Sequence, residues 1–264
     1  MNKTSDYTKL YTDHLQKGDH YDSSIGNNFE SFIFELEKNI LRNIIAPLQG
    51  KDKSYLDFAC GTGRIISFVS ENFTFGEYVG IDSSPTMIKT AREKTGPTKV
   101  EFISGNVLED SDFLANNYFD VVSAFRLILN LEPENRYRLL QAIHKTMRSG
   151  GVFIVNNHMN RFSVLGMIAL FIRKILHFPL KNDLQARQEG KRRIINTMSE
   201  REVRKLLKDT GFEVIGVRRF ILFPGHKNCL ALPRRVLFFV ELLLSKIPLL
   251  NLFGKDQIYV CFKK

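Results

Sequence analysis

Short apolar runs alternate with helical patterns along most of this chain. Apolar residues recur every three or four positions over residues 28–46, which predicts a helix that ends before Pro47. The apolar runs after it predict five strands, at Ser54–Ala59, Tyr78–Ile81, Val100–Ser104, Phe119–Ala124 and Val152–Asn156. The helical patterns between them predict helices over Gly63–Glu71, Pro85–Lys94 and Pro133–Met147, with Ser83 or Ser84 capping the second.

The last third of the chain adds a helix and two further strands. Residues 199–202 read as a capping box that opens a helix, and Gly211 closes that helix. Residues 212–223 and 257–262 are apolar enough to be strands. Strands that alternate with helices predict an α/β fold, a doubly wound and mostly parallel sheet with helices on both faces.

One turn carries an unusual density of small residues. In YLDFACGTGRI (55–65), a buried strand is followed by Ala59, Gly61 and Gly63 at every second position, and a helical pattern resumes at Arg64. A strand, a tight turn and a helix let the backbone approach a ligand closely.

Polar side chains lie at or just beyond the ends of three of the predicted strands. Asp57 lies beside the turn, Asp82 ends the second strand, and Asn106 follows the third. A carboxylate at the second strand end suits a ribose diol, and an amide suits a base edge. The turn has no third glycine of the GxGxxG pattern and the chain has no GxxxxGK[ST] loop, which argues against a dinucleotide or a nucleoside triphosphate.

These residues resemble the class I S-adenosylmethionine (SAM)-dependent methyltransferases. The motifs are LDFACGTGR (56–64), VGIDSSPTMI (79–88), FISGNVLED (102–110), YFDVVSAF (118–125) and MRSGGVFIV (147–155). The resemblance covers residues 50–160 and extends to 195–223 and 257–262. It implies a seven-stranded sheet whose last strand is antiparallel, with SAM bound and S-adenosylhomocysteine (SAH) released at the strand ends.

The same resemblance implies which residues bind the cofactor. The methionine part would lie against Asp57, Ala59, Gly61 and Gly63, the ribose against Asp82 and the adjacent Ser83, and the adenine against Met87, Asn106 and Val107. Ala59 replaces the usual glycine and Asn106 replaces the usual aspartate. We interpret both as tolerated variation that affects affinity more than cofactor identity.

The methyl acceptor should lie beyond the fourth and fifth strands. His158 follows the fifth strand and is the first candidate for a catalytic base, because an imidazole titrates near neutrality; hydrogen bonding to loop backbone is the alternative. Arg126 follows the fourth strand and is the second candidate catalytic residue, where it binds an anionic substrate group or a neighbouring carboxylate. The NPPY-type motif of enzymes that methylate bases is absent there.

Charge divides the chain unevenly. Residues 1–150 hold 17 basic and 20 acidic side chains, whereas residues 151–264 hold 21 basic and 8 acidic ones. An anionic partner or a solvated basic face both fit this asymmetry. RNA is the rival partner, although no RNA-binding motif is found.

Two apolar segments interrupt the basic half. We expect residues 1–48 to form a helical lid and residues 49–264 the catalytic domain, with helical insertions at about 161–195 and 232–253. In the second insertion, Arg234, Glu241 and Ser245 share one polar stripe, and Pro248 ends the helix. An apolar helix flanked by arginines suits an anionic membrane surface; burial under a substrate cap or a dimer contact are the alternatives.

The sequence thus predicts a SAM-dependent methyltransferase that acts on a small-molecule or lipid-linked acceptor, with O-methylation favoured. RNA methylation and a non-catalytic docking protein of the same fold are the rivals. Three distant cysteines and a polar N-terminus favour the cytoplasm, with peripheral contact at the inner face of the membrane.

Overall fold

Seven strands form one sheet in the computed structural model, which describes residues 28–96, 99–107, 118–163, 167, 171, 197–222 and 233–264. They are β1 (Gly50–Phe58), β2 (Phe75–Asp82), β3 (Val100–Ser104), β4 (Phe119–Ala124), β5 (Met147–Asn157), β6 (Phe212–Phe220) and β7 (Asp256–Lys263). Their order is β3-β2-β1-β4-β5-β7-β6. The first five pair in parallel, and β7 runs antiparallel to β5 and β6, which confirms the predicted fold.

Helices cover both faces of this sheet. They are α1 (Asn28–Ile45), α2 (Arg64–Asn72), α3 (Pro85–Thr95), α4 (Pro133–Thr146), α5 (Glu200–Asp209), α6 (Arg234–Leu244) and α7 (Pro248–Asn251). Apolar side chains of α1, α2, α3 and α6 pack in the core on one face, and those of α4 and α5 pack on the other. Each helix covers its own face because its apolar residues recur at helical spacing.

The central strands are apolar on both sides, as buried parallel strands are. In β1, Tyr55 packs into one core and Leu56 into the other, and both are fully buried. The register of β1 with β2 and β4 brings the carboxyl ends of the parallel strands to one edge of the sheet. Residues that follow these strands therefore meet at that edge.

The predicted lid and insertions are described only in part. Residues 1–27 lie outside the described residues, as do almost all of the residues of the insertion at 161–195. Of the lid, α1 is described, and its apolar face packs on the sheet through Phe32, Ile33 and Leu36. Residues expected to form the second insertion contain α6 and α7; α6 ends at Leu244, before Pro248, and Pro248 is the first residue of α7.

The polar stripe of α6 faces inward. Glu241 is only 1% exposed, and both of its carboxylate oxygens accept the backbone N–H of Leu222, at 2.9 and 3.0 Å. Arg234 lies against α1, where it pairs with Glu35. Leu237 packs in the core beside these polar contacts, whereas Val236, Phe239 and Leu243 on the other side of the helix are exposed. Over the described ranges of the chain, no helix has both the length and the apolar character needed to cross a bilayer.

The motif glycine Gly80 has a packing reason that a substitution can test. A Cβ at this position would stand 2.9 Å from the buried Phe102 ring and 3.2 Å from the Cys60 sulfur. We expect Gly80→Ala to lower the free energy of unfolding by about 1–3 kcal/mol, the usual cost of overpacking a core. Urea denaturation followed by circular dichroism measures the change.

Gly216 is the matched control because it also lies in a strand. A Cβ placed on Gly216 would have the end of the Arg218 side chain as its nearest neighbour, 4.0 Å away. Gly216→Ala should be neutral or stabilising by up to about 1 kcal/mol, since alanine restricts the unfolded chain more than glycine does. Equal effects of the two substitutions would contradict the packing explanation.

Candidate active site

The turn after β1 is held in a left-handed conformation at three positions. Ala59, Gly61 and Gly63 have φ angles of 57°, 56° and 81°. Glycine adopts this conformation freely, whereas at Ala59 it costs about 1 kcal/mol. The backbone N–H of Cys60 donates to the carbonyl of Ile81 at 2.9 Å, so the turn is fixed against the end of β2. Replacement of the family's glycine by Ala59 therefore leaves the turn geometry in place.

Asp82 connects three segments at this edge. Its carboxylate oxygens accept the backbone N–H of Gly61 and that of Ser84, each at 2.9 Å. Its carbonyl accepts the N–H of Gly105, just past β3. Burial raises the pKa of Asp82, and the hydrogen bonds from Ser84 and Gly61 oppose that rise. The predicted ribose ligand is thus also the residue that organises the cofactor turn.

Asp57 is buried below the turn, and its two carboxylate oxygens have different environments. The Tyr55 hydroxyl lies 2.7 Å from the Ser123 hydroxyl, and Ser123 donates to Oδ1 of Asp57 at 2.6 Å. Oδ2 of Asp57 has no hydrogen-bond partner within the described part of the chain. Burial raises the pKa of Asp57 to about 7, despite the hydrogen bond from Ser123. A carboxyl group in this state is suited to accept a hydrogen bond from a ligand ammonium group.

The other predicted cofactor residues lie along the same edge. Ser84, not Ser83, caps α3, because its hydroxyl accepts the N–H of Met87 at 3.4 Å. Ser83 remains partly exposed beside Asp82, and Met87 is buried in the first turn of α3. Beyond β3, Asn106 is partly exposed and Val107 is buried. The structure thus brings the predicted cofactor residues together at the ends of β1, β2 and β3.

Arg126 contacts carboxylates of α1. One guanidinium nitrogen lies 2.8 Å from Glu30, and another lies 3.9 Å from Glu37. Burial alone would raise the pKa of Glu30, but Arg126 overcomes that effect and the net pKa shift is downward. Glu37 is fully buried, and Arg64 lies 3.6 Å from it. Of the two roles considered for Arg126, contact with a neighbouring carboxylate is the one that this geometry favours.

His158 lies beyond β5, close to the positive charges of Arg126 and Lys255. Burial lowers its pKa to about 3, and the two cations contribute to the shift. The expectation of a pKa near neutrality is therefore wrong, because the sequence does not show how far the imidazole is removed from water. Its Nδ1 has no hydrogen-bond partner among the described residues.

Several charged residues of this region escaped the sequence analysis. Lys255 and Asp256 lie at the start of β7, with 3.5 Å between their charged groups. Burial raises the pKa of Asp256 to about 6, although Lys255 opposes it. Glu30 and Glu37 could have been identified from the sequence, because they interrupt the apolar pattern of a helix that is otherwise buried on that side. Lys255 and Asp256 gave no signal, since their position depends on the pairing of β7 with β5.

Comparisons with known proteins agree with this geometry. A family profile described as "Methyltransferase domain" matches residues 56–151. The carboxy-S-adenosyl-L-methionine synthase of Helicobacter hepaticus is 31% identical over 168 residues, which cover 61% of this chain and 69% of that protein. The chain belongs to the class I SAM-dependent methyltransferase family. It is a SAM-dependent enzyme, as the sequence predicts.

Two solved structures share the fold of this methyltransferase. One is a SAM-dependent methyltransferase from Thermotoga maritima, described as a possible histamine N-methyltransferase, with a TM-score of 0.60 and 16% identity. The other is magnesium protoporphyrin IX methyltransferase from Synechocystis with bound SAH, with a TM-score of 0.60 and 15% identity. Each match covers 98% of this chain and 100% of the other.

The residues present fit the SAM cofactor. Asp57 offers an ammonium group a buried oxygen that has no hydrogen-bond partner in the described ranges of the chain. Among the described residues nothing lies within 4 Å of a Cβ placed on Gly61, so the surface of the turn is open to a ligand. A positively charged sulfonium carries the methyl group that SAM supplies for transfer.

Asp82 is the first residue to test. We expect Asp82→Ala to weaken SAM binding roughly 10²-fold, because charge-assisted hydrogen bonds contribute about 1.5–3 kcal/mol each. Isothermal titration calorimetry with SAM and with SAH measures the loss. Asp52→Ala is the matched control, since Asp52 is an exposed carboxylate in β1. Unchanged affinity in Asp82→Ala would refute the ribose assignment.

The low pKa of His158 predicts a pH-dependent contribution to stability. The ordinary histidine pKa is about 6.5, so the unfolded chain binds a proton below that pH while the folded chain does not. The stability that the folded state gains from the neutral His158 is present above about pH 6.5. It is lost as the pH falls toward the folded pKa of about 3. Asp57 and Asp256 have raised pKa values and act in the opposite direction.

Comparison with His158→Gln isolates the histidine, because both proteins keep the two aspartates. We expect the melting temperature of the wild type, relative to that of the variant, to decrease as the pH is lowered from about 7 to about 5. Scanning calorimetry across this range provides the measurement. A constant difference would show that His158 is not buried as a neutral group.

Proposed function

We propose that this methyltransferase transfers the methyl group of SAM to a hydroxyl oxygen of a small-molecule or lipid-linked acceptor. The observation that carries the proposal is Nδ1 of His158 at the end of β5, which has no hydrogen-bond partner among the residues that the structure describes. It lies at the sheet edge that also carries Asp57 and Asp82, where an acceptor would meet the sulfonium. The reaction is an in-line displacement, so holding the acceptor close and aligned supplies much of the catalysis.

The low pKa of His158 defines its role in this proposal. A neutral imidazole accepts a hydrogen bond from the acceptor hydroxyl and thereby orients its oxygen. When that oxygen gains its new C–O bond it becomes an oxonium, a much stronger acid than imidazolium. Nδ1 of His158 then takes the proton, although the pKa of the histidine is only about 3.

Arg126 has a positioning role in this scheme. Its backbone N–H donates to Oδ1 of Asn156, in β5, and its φ angle of 55° is left-handed. Its side chain joins α1 through Glu30 at 2.8 Å. These contacts hold α1 over the ends of β4 and β5, where it shields the acceptor site from water.

A second candidate activity follows from the name of the Helicobacter hepaticus relative. That protein is a carboxy-SAM synthase, and 31% identity over 168 residues makes synthesis of carboxy-SAM a candidate for this chain as well. The two activities differ in product, because methyl transfer releases SAH. Mass spectrometry of the nucleoside product after incubation with SAM distinguishes them.

The cellular setting follows from the acceptor class. A lipid-linked acceptor such as a polyisoprenoid or a quinone precursor would place the enzyme in the cytoplasm and in contact with the inner face of a membrane. RNA remains the rival acceptor because of the basic C-terminal half. Incubation of the enzyme with labelled SAM and either a lipid extract or total RNA assigns the label to one of them.

The role of His158 has a direct kinetic test. We expect His158→Ala to lower turnover on a hydroxyl acceptor about 10²-fold while SAM affinity stays unchanged. His158→Gln retains a hydrogen-bond acceptor but no basic nitrogen, so it should recover acceptor affinity and not turnover. Steady-state assays of SAH release measure both effects.

The pH dependence of kcat/KM tests whether His158 is neutral in the working enzyme. Because imidazolium with a pKa of about 3 is absent at neutral pH, kcat/KM should stay flat between about pH 6 and pH 8. An acid limb near pH 6.5 that disappears in His158→Gln would contradict the proposed protonation state. Unchanged turnover in His158→Ala would remove His158 from the mechanism.

A further inference from the structure

A basic groove separates α1 from α6 on one face of the sheet. It has a volume of about 410 Å³ and is lined by Glu35, Lys38, Asn39 and Arg42 of α1 and by Arg234, Arg235, Phe238 and Phe239 of α6. We call it the α1–α6 groove. Four of its lining side chains are cationic and one is anionic.

The anionic residue of the groove is already paired. Glu35 lies 3.0 Å from the guanidinium of Arg234, which also donates to the hydroxyl of Ser31 at 2.9 Å. That pair joins the two helices and leaves Lys38, Arg42 and Arg235. In the part of the chain that the structure describes, no carboxylate forms a salt bridge with any of these three. The groove therefore presents three uncompensated positive charges.

Aromatic rings hold two of these cations in place. The Lys38 ammonium lies 5.0 Å from the centre of the Phe34 ring, and the Arg42 guanidinium lies 5.2 Å from that of Phe68. Cation–π contacts of this kind restrict a long side chain without neutralising its charge. The groove is thus preorganised for an anion.

An exposed apolar surface adjoins the groove. Val236, Phe239 and Leu243 lie on one side of α6 and are 47%, 67% and 64% exposed. Beyond α6, the exposed apolar residues continue with Ile247, Leu249, Leu250, Leu252 and Phe253. We call these eight residues the apolar stripe. Large contiguous apolar patches are uncommon on soluble monomers and mark interaction surfaces.

The combination of charge and apolar surface identifies the partner. A helix that lies in a bilayer interface presents long apolar side chains to the acyl region and cations to the headgroup phosphates. Phe239 belongs to both the groove and the apolar stripe, so the two features meet at one residue. Nucleic acid would use the cations but would leave the aliphatic side chains in water. An anionic lipid surface uses both.

The same surface is connected to the acceptor site. Nδ2 of Asn160 donates to the carbonyl oxygens of Leu252 and Gly254, at 3.0 and 3.1 Å. Asn160 follows His158 by two residues, and its N–H donates to the carbonyl of Lys255 at 2.8 Å. The end of the apolar stripe is therefore fixed beside the candidate base.

We propose that the α1–α6 groove and the apolar stripe form a docking face for an anionic lipid bilayer. Lys38, Arg42 and Arg235 bind the phosphate of a lipid headgroup, and the stripe inserts into the interfacial region. Docking in this orientation places the His158 side of the enzyme at the bilayer, where a lipid-linked acceptor resides. This last point rests on the proposed function, whereas the docking face itself does not.

Vesicle flotation with the full-length protein tests the docking face. The vesicles are pure phosphatidylcholine, or phosphatidylcholine mixed with phosphatidylglycerol. We expect binding to the mixed vesicles only, and a loss of at least about tenfold in Arg42→Glu/Arg235→Glu, because each interfacial cation contributes about a fivefold factor to binding. Phe239→Ser/Leu243→Ser should also lower binding, since it removes inserted apolar area.

A control variant has the same net charge as the groove variant Arg42→Glu/Arg235→Glu. Lys205→Glu/Lys208→Glu reverses two exposed cations on α5, which packs on the opposite face of the sheet. This variant should float like the wild type. SAM calorimetry on every variant verifies that the cofactor site is intact.

The outcomes separate this inference from the proposed function. Absence of flotation at low salt, equal binding to both vesicle types, or equal losses from the groove and α5 reversals would overturn the docking face. Binding to RNA that the groove reversal abolishes, without vesicle binding, would overturn it in favour of a nucleic-acid surface. Vesicle binding without methyl transfer to any hydroxyl acceptor would leave the docking face standing and refute the proposed function.

Discussion

The carboxylate of Asp82 holds the cofactor edge of this protein together. Its two oxygens accept backbone N–H groups from the turn after β1 and from the start of α3, at 2.9 Å each. A buried carboxylate is stable only when hydrogen bonds compensate for the loss of water, so the surrounding backbone is constrained to supply them. The left-handed residues of the turn make this possible. Within the described part of the chain, the face above Gly61 is open and Oδ2 of Asp57 has no hydrogen-bond partner, and both features depend on that arrangement.

The second constraint is the cluster of buried charges between α1 and the ends of β4, β5 and β7. Arg126, Arg64 and Lys255 face Glu30, Glu37 and Asp256 in a region with little access to water. Removing one member of such a set leaves a partner charge buried and unpaired, which is costlier than losing the pair. The cluster therefore fixes α1 over the sheet. Burial, together with the charges of Arg126 and Lys255 in this cluster, depresses the pKa of His158, which ties the proposed acid–base chemistry to the packing of a helix distant in sequence.

Helix α1 links the candidate active site and the proposed docking face. One side of it carries Glu30 and Glu37 toward the strand ends, and the other carries Lys38 and Arg42 into the α1–α6 groove. Helix α6 complements it by burying Glu241 and leaving Phe239 and Leu243 in solvent. Leu237 of the same helix packs in the core, so the exposed apolar side chains are confined to one side of α6. Exposed apolar patches are uncommon on soluble monomers, and the proposed lipid docking would cover this one.

The sequence by itself determined the sheet and the turn after β1, and it placed the candidate cofactor residues at the strand ends. These features are local: apolar periodicity defines each strand, and small residues at every second position define the turn. The parallel arrangement then brings Asp57, Asp82 and Asn106 to one edge, because strands of this kind end together. The tertiary structure alone decided the environment of His158, the partners of Arg126 and the direction in which the polar stripe of α6 faces. Each of these depends on contacts between residues far apart in the chain, and desolvation and charge pairing arise only from such contacts.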